Sequence, residues 1–334
     1  MPKSPRNPAP LRIGILGAAR IARKFCDGVR GSEKVVVSAV ASRDVDRATA
    51  FAQSLGIRTV CESYDALLAS PAVDAIYNAL PNALHGPWSI RAMDAGKHVL
   101  CEKPLAVSRA EAVEMFAAAA RNAVCLAEAY PYRSQPQTLT LQELVADGAI
   151  GDLRMISATF AFTLTARDDI RLDPGLAGGA LMDLGAYPVS LIRMLSGAAP
   201  VTMQALGEMD PGGVDRSAMT TMSFASGLLA QASCNFDAAV HRQALIAGTD
   251  GVIETSYANH TSDDTPPVLL VRRGRERSAE VETVRVAAIN GFRAEADAFA
   301  DYVAGQGWNG IPERESIEVA GMLETLRALV KAEA

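Results

Sequence analysis

Three short segments carry residue types able to do chemistry together. The first is Gly17-Ala18-Ala19-Arg20-Ile21-Ala22, which follows an apolar run and opens a helical pattern. It stands where a GxGxxG dinucleotide loop would stand, with only the first glycine kept. Gly17 permits the tight turn, Ala19 replaces the glycine that lets backbone approach a pyrophosphate, and Ala22 replaces the helix-packing glycine. The helix N-terminus supplies unpaired N–H groups and a positive dipole end for phosphate. The plainer reading is an ordinary strand-to-helix turn. The second segment is Ser42-Arg43, at the end of the next apolar run. An NAD site commonly has an acid there for the ribose 2′-OH, whereas an arginine pairs with a 2′-phosphate. NADP is the expected cofactor unless Arg43 is only a solvated charge. The third is Cys101-Glu102-Lys103-Pro104. A lysine at the carboxyl end of a strand faces the ligand crevice; partial desolvation there is expected to lower its pKa and suit it to proton exchange. The alternative is a surface lysine opposite Glu102.

The elements that must hold these residues alternate. Leu11 to Leu16 reads as a strand, Ile21 to Val29 as a helix, Val35 to Ala41 as a β-branched strand and Asp44 to Leu55 as a helix. A short helix at Tyr64 to Leu68, a strand at Ala75 to Ala79, a helix at Trp88 to Ala95 and a strand at Val99 to Cys101 follow. Ser108 caps a long helix through Arg121, and Val124 to Glu128 is the last strand of the series. Strict alternation means βαβ units and a parallel sheet. After Glu128 the rhythm changes. A helix at Gln137 to Asp147 leads into strand-like runs at Leu153–Thr163, Val201–Leu206, Ala218–Phe224, Leu228–Asn235, His241–Ala247, Gly251–Thr255, Val268–Arg272 and Val281–Val286. Turn signals such as Asp210-Pro211-Gly212-Gly213 separate several of them, so an antiparallel sheet is expected. One helix, around Met182 to Leu195, interrupts the run, and two helices, Gly291–Val303 and Ser316–Lys331, close the chain.

The reading is therefore a proline-rich arm at 1–10, an α/β dinucleotide-binding domain at 11–129 and an α+β domain with a large open sheet at 130–334. The arm carries four prolines in ten residues; it reads as a disordered tail or as an arm docking on a partner subunit or over a cofactor. A length of 334 residues suits about two domains. Hydrophobic residues at 49% and charged residues at 21% exclude a disordered chain. A net charge of −6 argues against a nucleic-acid partner. The cysteines Cys26, Cys61, Cys101, Cys125 and Cys234 are odd in number and not paired at metal or redox spacing, which fits free thiols in a reducing cytoplasm and no metal site. No secretory signal and no membrane-spanning stretch are read.

Taken in order, Gly14-x-x-Gly17-Ala-Ala-Arg-Ile-Ala22, Leu80-Pro81-Asn82 with His85, Glu102-Lys103-Pro104 and Gly178-Gly179-Ala180-Leu181-Met182-Asp183-Leu184-Gly185-Ala186-Tyr187 resemble the glucose–fructose oxidoreductase/inositol dehydrogenase (Gfo/Idh/MocA) family. The resemblance runs from Leu11 over nearly the whole chain and is nearest the aldose-oxidising branch, with glucose–fructose oxidoreductase, xylose dehydrogenase and dihydrodiol dehydrogenase. It implies a Rossmann domain, a C-terminal sheet that forms the contact of a homodimer or tetramer, and hydride transfer between a nicotinamide and a sugar carbon.

The same resemblance implies that Lys103 is the catalytic lysine, that Tyr187 is the acid/base on the substrate hydroxyl and that Asp183 orients the sugar or the tyrosine. Asp183 and Tyr187 are four apart, so on a helix they share one face. A phenol of pKa about 10 needs a cation beside it at neutral pH, and Lys103 can be that cation. Without the resemblance the two are a helix-start charge and a core aromatic. Gly178 and Gly179 would let substrate and nicotinamide approach the backbone. Cofactor contacts are implied for Gly17, Ala18, Ala19, Arg20, Ile21, Ser42, Arg43, Leu80, Pro81, Asn82, His85, Glu102 and Lys103. Arg171 is read as reaching a phosphate or sugar oxygen, and His85 alternatively as a satisfied structural histidine. Gln135 stands where many members have histidine, which bears on substrate preference if that segment lines the pocket. The substrate implied is a pyranose oxidised at C1, with NADP(H) held tightly and regenerated by a second sugar. Alternatives are a dihydrodiol or polyol dehydrogenase with exchanging NADP, and an NADP-binding regulator without chemistry.

Overall fold

The computed structural model describes residues 9–257, 261–276 and 278–333. The expected arm at 1–10 lies outside them except for its last two residues. The first sheet is built from β1 (Leu11–Leu16), β2 (Val35–Ala41), β3 (Thr59–Cys61), β4 (Ala75–Asn78), β5 (His98–Glu102) and β6 (Leu126–Ala129). All its pairings are parallel, in the order β3-β2-β1-β4-β5-β6. This is the doubly wound order, and its ligand crevice opens where the order reverses between β1 and β4. The helices are α1 (Arg20–Gly28), α2 (Val45–Leu55), α3 (Tyr64–Leu68), α4 (His85–Asp94) and α5 (Arg109–Arg121). Local signals fix their ends. Asp44 and Ser108 accept the backbone N–H groups of Arg47 and Glu111, and Gly56 closes α2 in the left-handed region. Residues Ala75–Asn78 are buried throughout, as a central parallel strand covered on both faces requires. The edge strand β3 has three residues, too few to show a pattern in the sequence.

Beyond β6 come α6 (Pro136–Ala146), β7 (Leu153–Ala161), α7 (Ala186–Ser196), β8 (Thr202–Met209), β9 (Asp215–Ser223), β10 (Leu229–Asn235), β11 (His241–Gly248), β12 (Gly251–Thr255), β13 (Val268–Arg273), β14 (Val281–Arg285), α8 (Gly291–Val303) and α9 (Glu313–Glu333). The second sheet runs β14-β13-β12-β11-β7-β10-β9-β8. It is antiparallel except where β10 pairs with β7, and the two run parallel because β7 is followed by the long segment carrying α7 rather than by a hairpin. One face is covered by α7 and α9, and the other is open.

The stretch Pro174–Ser196 is long and apolar enough in composition to cross a membrane, yet it carries Asp183 and Arg193, and 83% of its most apolar part is buried inside the fold. The cause is that α7 is enclosed on all sides, and a helix apolar all round belongs to a core. The closing helices return to the first sheet. Phe292 of α8 meets Phe25 edge to face, and α9 packs on α5 as well as α7.

Candidate active site

The turn after β1 leaves α1 with a bare N-terminus. Ala19 stands at the cap position with no side-chain cap, and the first turn holds no acid. Gly17 has φ +100°, and a Cβ there would stand 3.0 Å from the Leu80 side chain, so glycine suits this turn. Beside the loop, Ala18, Ala19, Arg20, Arg23, Arg47, Ala50 and Phe51 line a cleft of about 300 Å³. Three arginines thus line one cleft beside this helix N-terminus. Arg47 is fixed by donating 3.0 Å to the Ala18 carbonyl. Ser42 is buried, and the exposed Arg43 lies beside the Tyr64 phenol. A bare helix end lined by arginines suits the phosphates of a dinucleotide.

At the end of β5 Lys103 leaves the first sheet and meets the second half of the chain. Its Nζ donates to Asp183 twice, 2.9 Å to Oδ1 and 2.7 Å to the backbone carbonyl. The same ammonium lies 4.9 Å from the centre of the Tyr187 ring. Tyr187 is held among Tyr130, Tyr132 and Phe160, with ring centroids 5.6, 6.0 and 5.4 Å away. The structure therefore brings Lys103, Asp183 and Tyr187 together. It does so with a different helix from the one expected. Residues Leu181–Gly185 form a π-helical turn ahead of α7, so the Asp183–Tyr187 relation is not the simple one-face i,i+4 pairing.

The lysine also departs from expectation. Burial pulls its pKa down, but Asp183, Tyr187 and Glu102 outweigh burial and raise it. Lys103 is therefore a fixed cation at neutral pH. Asp183 is correspondingly held down at about 2: burial opposes its charge, but Lys103 and Arg171 overcome burial.

The glycine pair has a different role from ligand approach. A Cβ on Gly178 would stand 2.4 Å from the Arg171 carbonyl oxygen, and one on Gly179 (φ +117°) would stand 2.2 Å from Asp215 Oδ1. The protein itself occupies that space. Asp215 is buried and accepts the Leu181 N–H at 2.6 Å, which anchors the start of the π turn. Arg171 reaches Asp183 Oδ2 with Nε at 2.5 Å and Asp169 Oδ1 with Nη1 at 3.2 Å.

The remaining sequence-derived positions line the crevice or brace it. Leu80 covers Gly17, and Pro81 precedes a single 3-10 turn at Asn82–Leu84. Asn82 Nδ2 donates 2.9 Å to the Ala177 carbonyl and so links the two halves of the chain. His85 is buried, with its ring nitrogens 2.8 Å from the carbonyls of Pro104 and Leu80. Burial holds it neutral, its pKa lowered to about 4, so it staples the Leu80 loop to the Lys103 loop. Glu102 is buried, accepts from the Tyr77 hydroxyl and takes the Lys103 N–H at 3.2 Å. Ile21 is half-buried on α1. Gln135 is fully buried, and its Oε1 accepts from Thr261 N at 3.1 Å and Oγ1 at 3.0 Å, so it braces a segment rather than offering a free side chain to a pocket.

Four site residues were missed: Arg23, Arg47, Asp215 and Arg242. Arg23 and Arg47 had a signal, since each follows a singled-out arginine closely, Arg23 one turn after Arg20 on α1 and Arg47 in the first turn of α2 just beyond Arg43. Asp215 and Arg242 had none, because each arrives from a distant strand. Arg242 of β11 lies 4.3 Å over the Phe160 ring and is drawn electrostatically to Tyr187, a second cation near that phenol.

Comparisons with known proteins agree with the two-part fold. A family model described as the oxidoreductase family, NAD-binding Rossmann fold, matches residues 11–130, and the GFO/IDH/MocA C-terminal domain matches 138–254. The chain is 35% identical to D-xylose 1-dehydrogenase (NADP(+)) 2 of Haloferax volcanii, over 95% of this chain and 96% of that protein. It is 36% identical to the dTDP-3,4-didehydro-2,6-dideoxy-alpha-D-glucose 3-reductase of Streptomyces violaceoruber, over 94% and 92%. Among solved structures, the 3-ketoreductase KijD10 of Actinomadura kijaniata, in complex with NADP and TDP-benzene, superimposes with a TM-score of 0.87 at 29% identity, covering 96% of this chain and 97% of that one. With both halves matched and relatives alike along almost its full length, this chain belongs to the Gfo/Idh/MocA family of NAD(P)-binding oxidoreductases.

Proposed function

We propose that the protein is an NADP-dependent sugar oxidoreductase that oxidises an aldose pyranose at C1 to the lactone. The observation that carries this reading is Lys103 Nζ standing between Asp183 and the Tyr187 ring at the mouth of the crevice. When bound, NADP supplies the nicotinamide that accepts the C1 hydride. Tyr187 takes the proton of the anomeric hydroxyl, and the C1–O bond becomes the lactone carbonyl. The ammonium of Lys103 favours the phenolate that this requires, and Arg242 adds a second positive charge nearby. Asp183 keeps Lys103 charged and aimed. Arg20, Arg23, Arg43 and Arg47 would hold the cofactor's phosphates.

A xylose dehydrogenase and a sugar-nucleotide reductase among the relatives support a sugar carbinol as the reacting group. Tight retention of NADP(H), with a second sugar as oxidant, belongs to the same reading; absence of nicotinamide absorbance from protein purified without added cofactor removes that part. The open face of the second sheet carries Met155, Leu206, Met219 and Leu229, and register places Leu206 beside Met219 and Leu229 beside Met155. We assign that face to a second copy of the chain, as a homodimer.

The test is turnover of a panel of aldoses and polyols with NADP or NAD, comparing wild type with Tyr187→Phe. The expected result is activity on aldoses with NADP and a loss of about 10²-fold or more in the Phe variant. Unchanged turnover by Tyr187→Phe defeats the mechanism, and preference for polyols moves the substrate to the dihydrodiol and polyol class.

A further inference from the structure

We propose that Asp169 and Arg171 are positioning residues that tie the phosphate loop to the catalytic lysine, and that the cofactor's phosphate competes with Asp169 for Arg20. The proposal rests on the NADP-dependent reading above. Five groups of alternating charge run without a gap from one half of the chain to the other. Arg20 Nη2 lies 3.1 Å from Asp169 Oδ2, and Arg171 Nη1 lies 3.2 Å from Asp169 Oδ1. Arg171 Nε lies 2.5 Å from Asp183 Oδ2, and Asp183 Oδ1 lies 2.9 Å from Lys103 Nζ.

Each end of this chain is a site residue, and the two members between Arg20 and Asp183 come from one short segment. That segment is built to stay in place. Asp169 also accepts the Arg171 N–H at 3.0 Å, the Gly179 N–H reaches the Arg171 carbonyl at 2.8 Å, and Gly178 has no side chain where that carbonyl sits.

Two asymmetries give the chain its function. Asp183 gives one oxygen to each cation, so Arg171 fixes the rotation of the carboxylate that aims Lys103. Without Arg171 both oxygens become available to the ammonium, and its place is no longer set. At the other end, the Asp169 side chain is 6% exposed while that of Arg20 is 84% exposed. An ion pair with one solvated partner contributes little. A phosphate at the N-terminus of α1 therefore takes Arg20 readily, and Asp169 is left to Arg171 alone.

The test pairs direct NADPH binding, followed by nucleotide fluorescence, with steady-state kinetics across pH. Freed of its competitor, Arg20 should bind phosphate better, so Asp169→Asn is expected to bind NADPH about two- to fivefold more tightly. The same variant is expected to lose about tenfold in kcat because Arg171 is less well held. Tighter binding with slower turnover is a signature that simple loss of structure does not produce. Arg171→Met is expected to lose about ten- to hundredfold in kcat with sugar KM within about twofold, and to move the acid limb of kcat to higher pH. Arg171→Lys is expected to recover part of both. Asp169→Asn that binds NADPH no more tightly than wild type, or turns over as fast, overturns the proposal. So does an Arg171→Met variant whose pH profile stays in place. Wild type that binds no NADPH overturns the cofactor reading itself, which separates the two failures.

Discussion

Lys103 and Asp183 meet between the two sheets, with Nζ 2.9 Å from Oδ1 and 2.7 Å from the aspartate's own carbonyl oxygen. The double contact makes the lysine a fixed cation, because its third N–H is all that remains for a substrate oxygen or the Tyr187 phenol. Asp183→Asn keeps the shape and removes the charge. It is expected to lower kcat about 10²-fold while sugar KM changes little, since the effect falls on the cation that serves the proton transfer. A variant with wild-type kcat shows that Lys103 needs no counter-charge.

The same pair has an acid signature. The Asp183 pKa is depressed from 3.8 to about 2 in the folded state, so its stabilisation is present above the unfolded value and lost as pH falls through the folded one. The depression corresponds to about 2 kcal/mol. Asp183→Asn is expected to flatten the fall of stability between about pH 4 and pH 2. Denaturant unfolding measured through that window checks it, and an unchanged slope rejects it.

Phosphate selection tests the arginine ring. Arg47 sits in the cleft with Arg20 and Arg23 and is braced on the Ala18 carbonyl, while Arg43 lies at the strand end. Arg43→Glu and Arg47→Glu each put a negative charge where a 2′-phosphate would sit. Each is expected to raise the Kd for NADP about tenfold or more and to leave NAD binding within about threefold. Equal losses for both nucleotides reassign these arginines to the pyrophosphate.

Much of this architecture was legible because it is local. The βαβ rhythm, the cap at Ser108 and the Gly17 turn each rest on neighbouring residues, and Gly251–Thr255 and Gly291–Val303 fall where the pattern puts them. What was not legible depends on distant partners. The pKa of Lys103 turns on residues about eighty positions away, so the expectation from burial alone had the wrong sign. The π turn at Leu181–Gly185 is anchored by Asp215 from another strand. Arg242 approaches Tyr187 only through the pairing of β11 with β7. The glycine pair was noticed for the right reason, lack of space, but what fills the space is protein.

That packing gives a stability prediction. Gly179→Ala combines a backbone at φ +117° with a Cβ 2.2 Å from the buried Asp215 carboxylate. Moving Asp215 releases the Leu181 N–H and the turn that carries Asp183. The expected cost is about 1–3 kcal/mol, with lower kcat in the protein that remains folded. Thermal unfolding with a parallel rate assay checks both, and a neutral substitution shows that the turn tolerates a side chain.

The open face of the second sheet offers the last test. On β8 and β9, Leu206 and Met219 are directly opposed and each is 67% exposed, while their neighbours Ala205 and Ala218 are buried against the helices. The alternation is that of a sheet with one covered face, yet the outer face is not polar at these points. Apolar side chains gathered on such a face mark a contact surface. A two-fold axis would lay this patch on its own copy and bury it in both. The double variant Leu206→Glu/Met219→Glu would place four like charges in that contact, so it is expected to elute as a monomer where wild type elutes as a dimer. Its far-ultraviolet dichroism should remain that of wild type, because both side chains point away from the core. A variant that keeps the wild-type assembly places the interface elsewhere on the molecule.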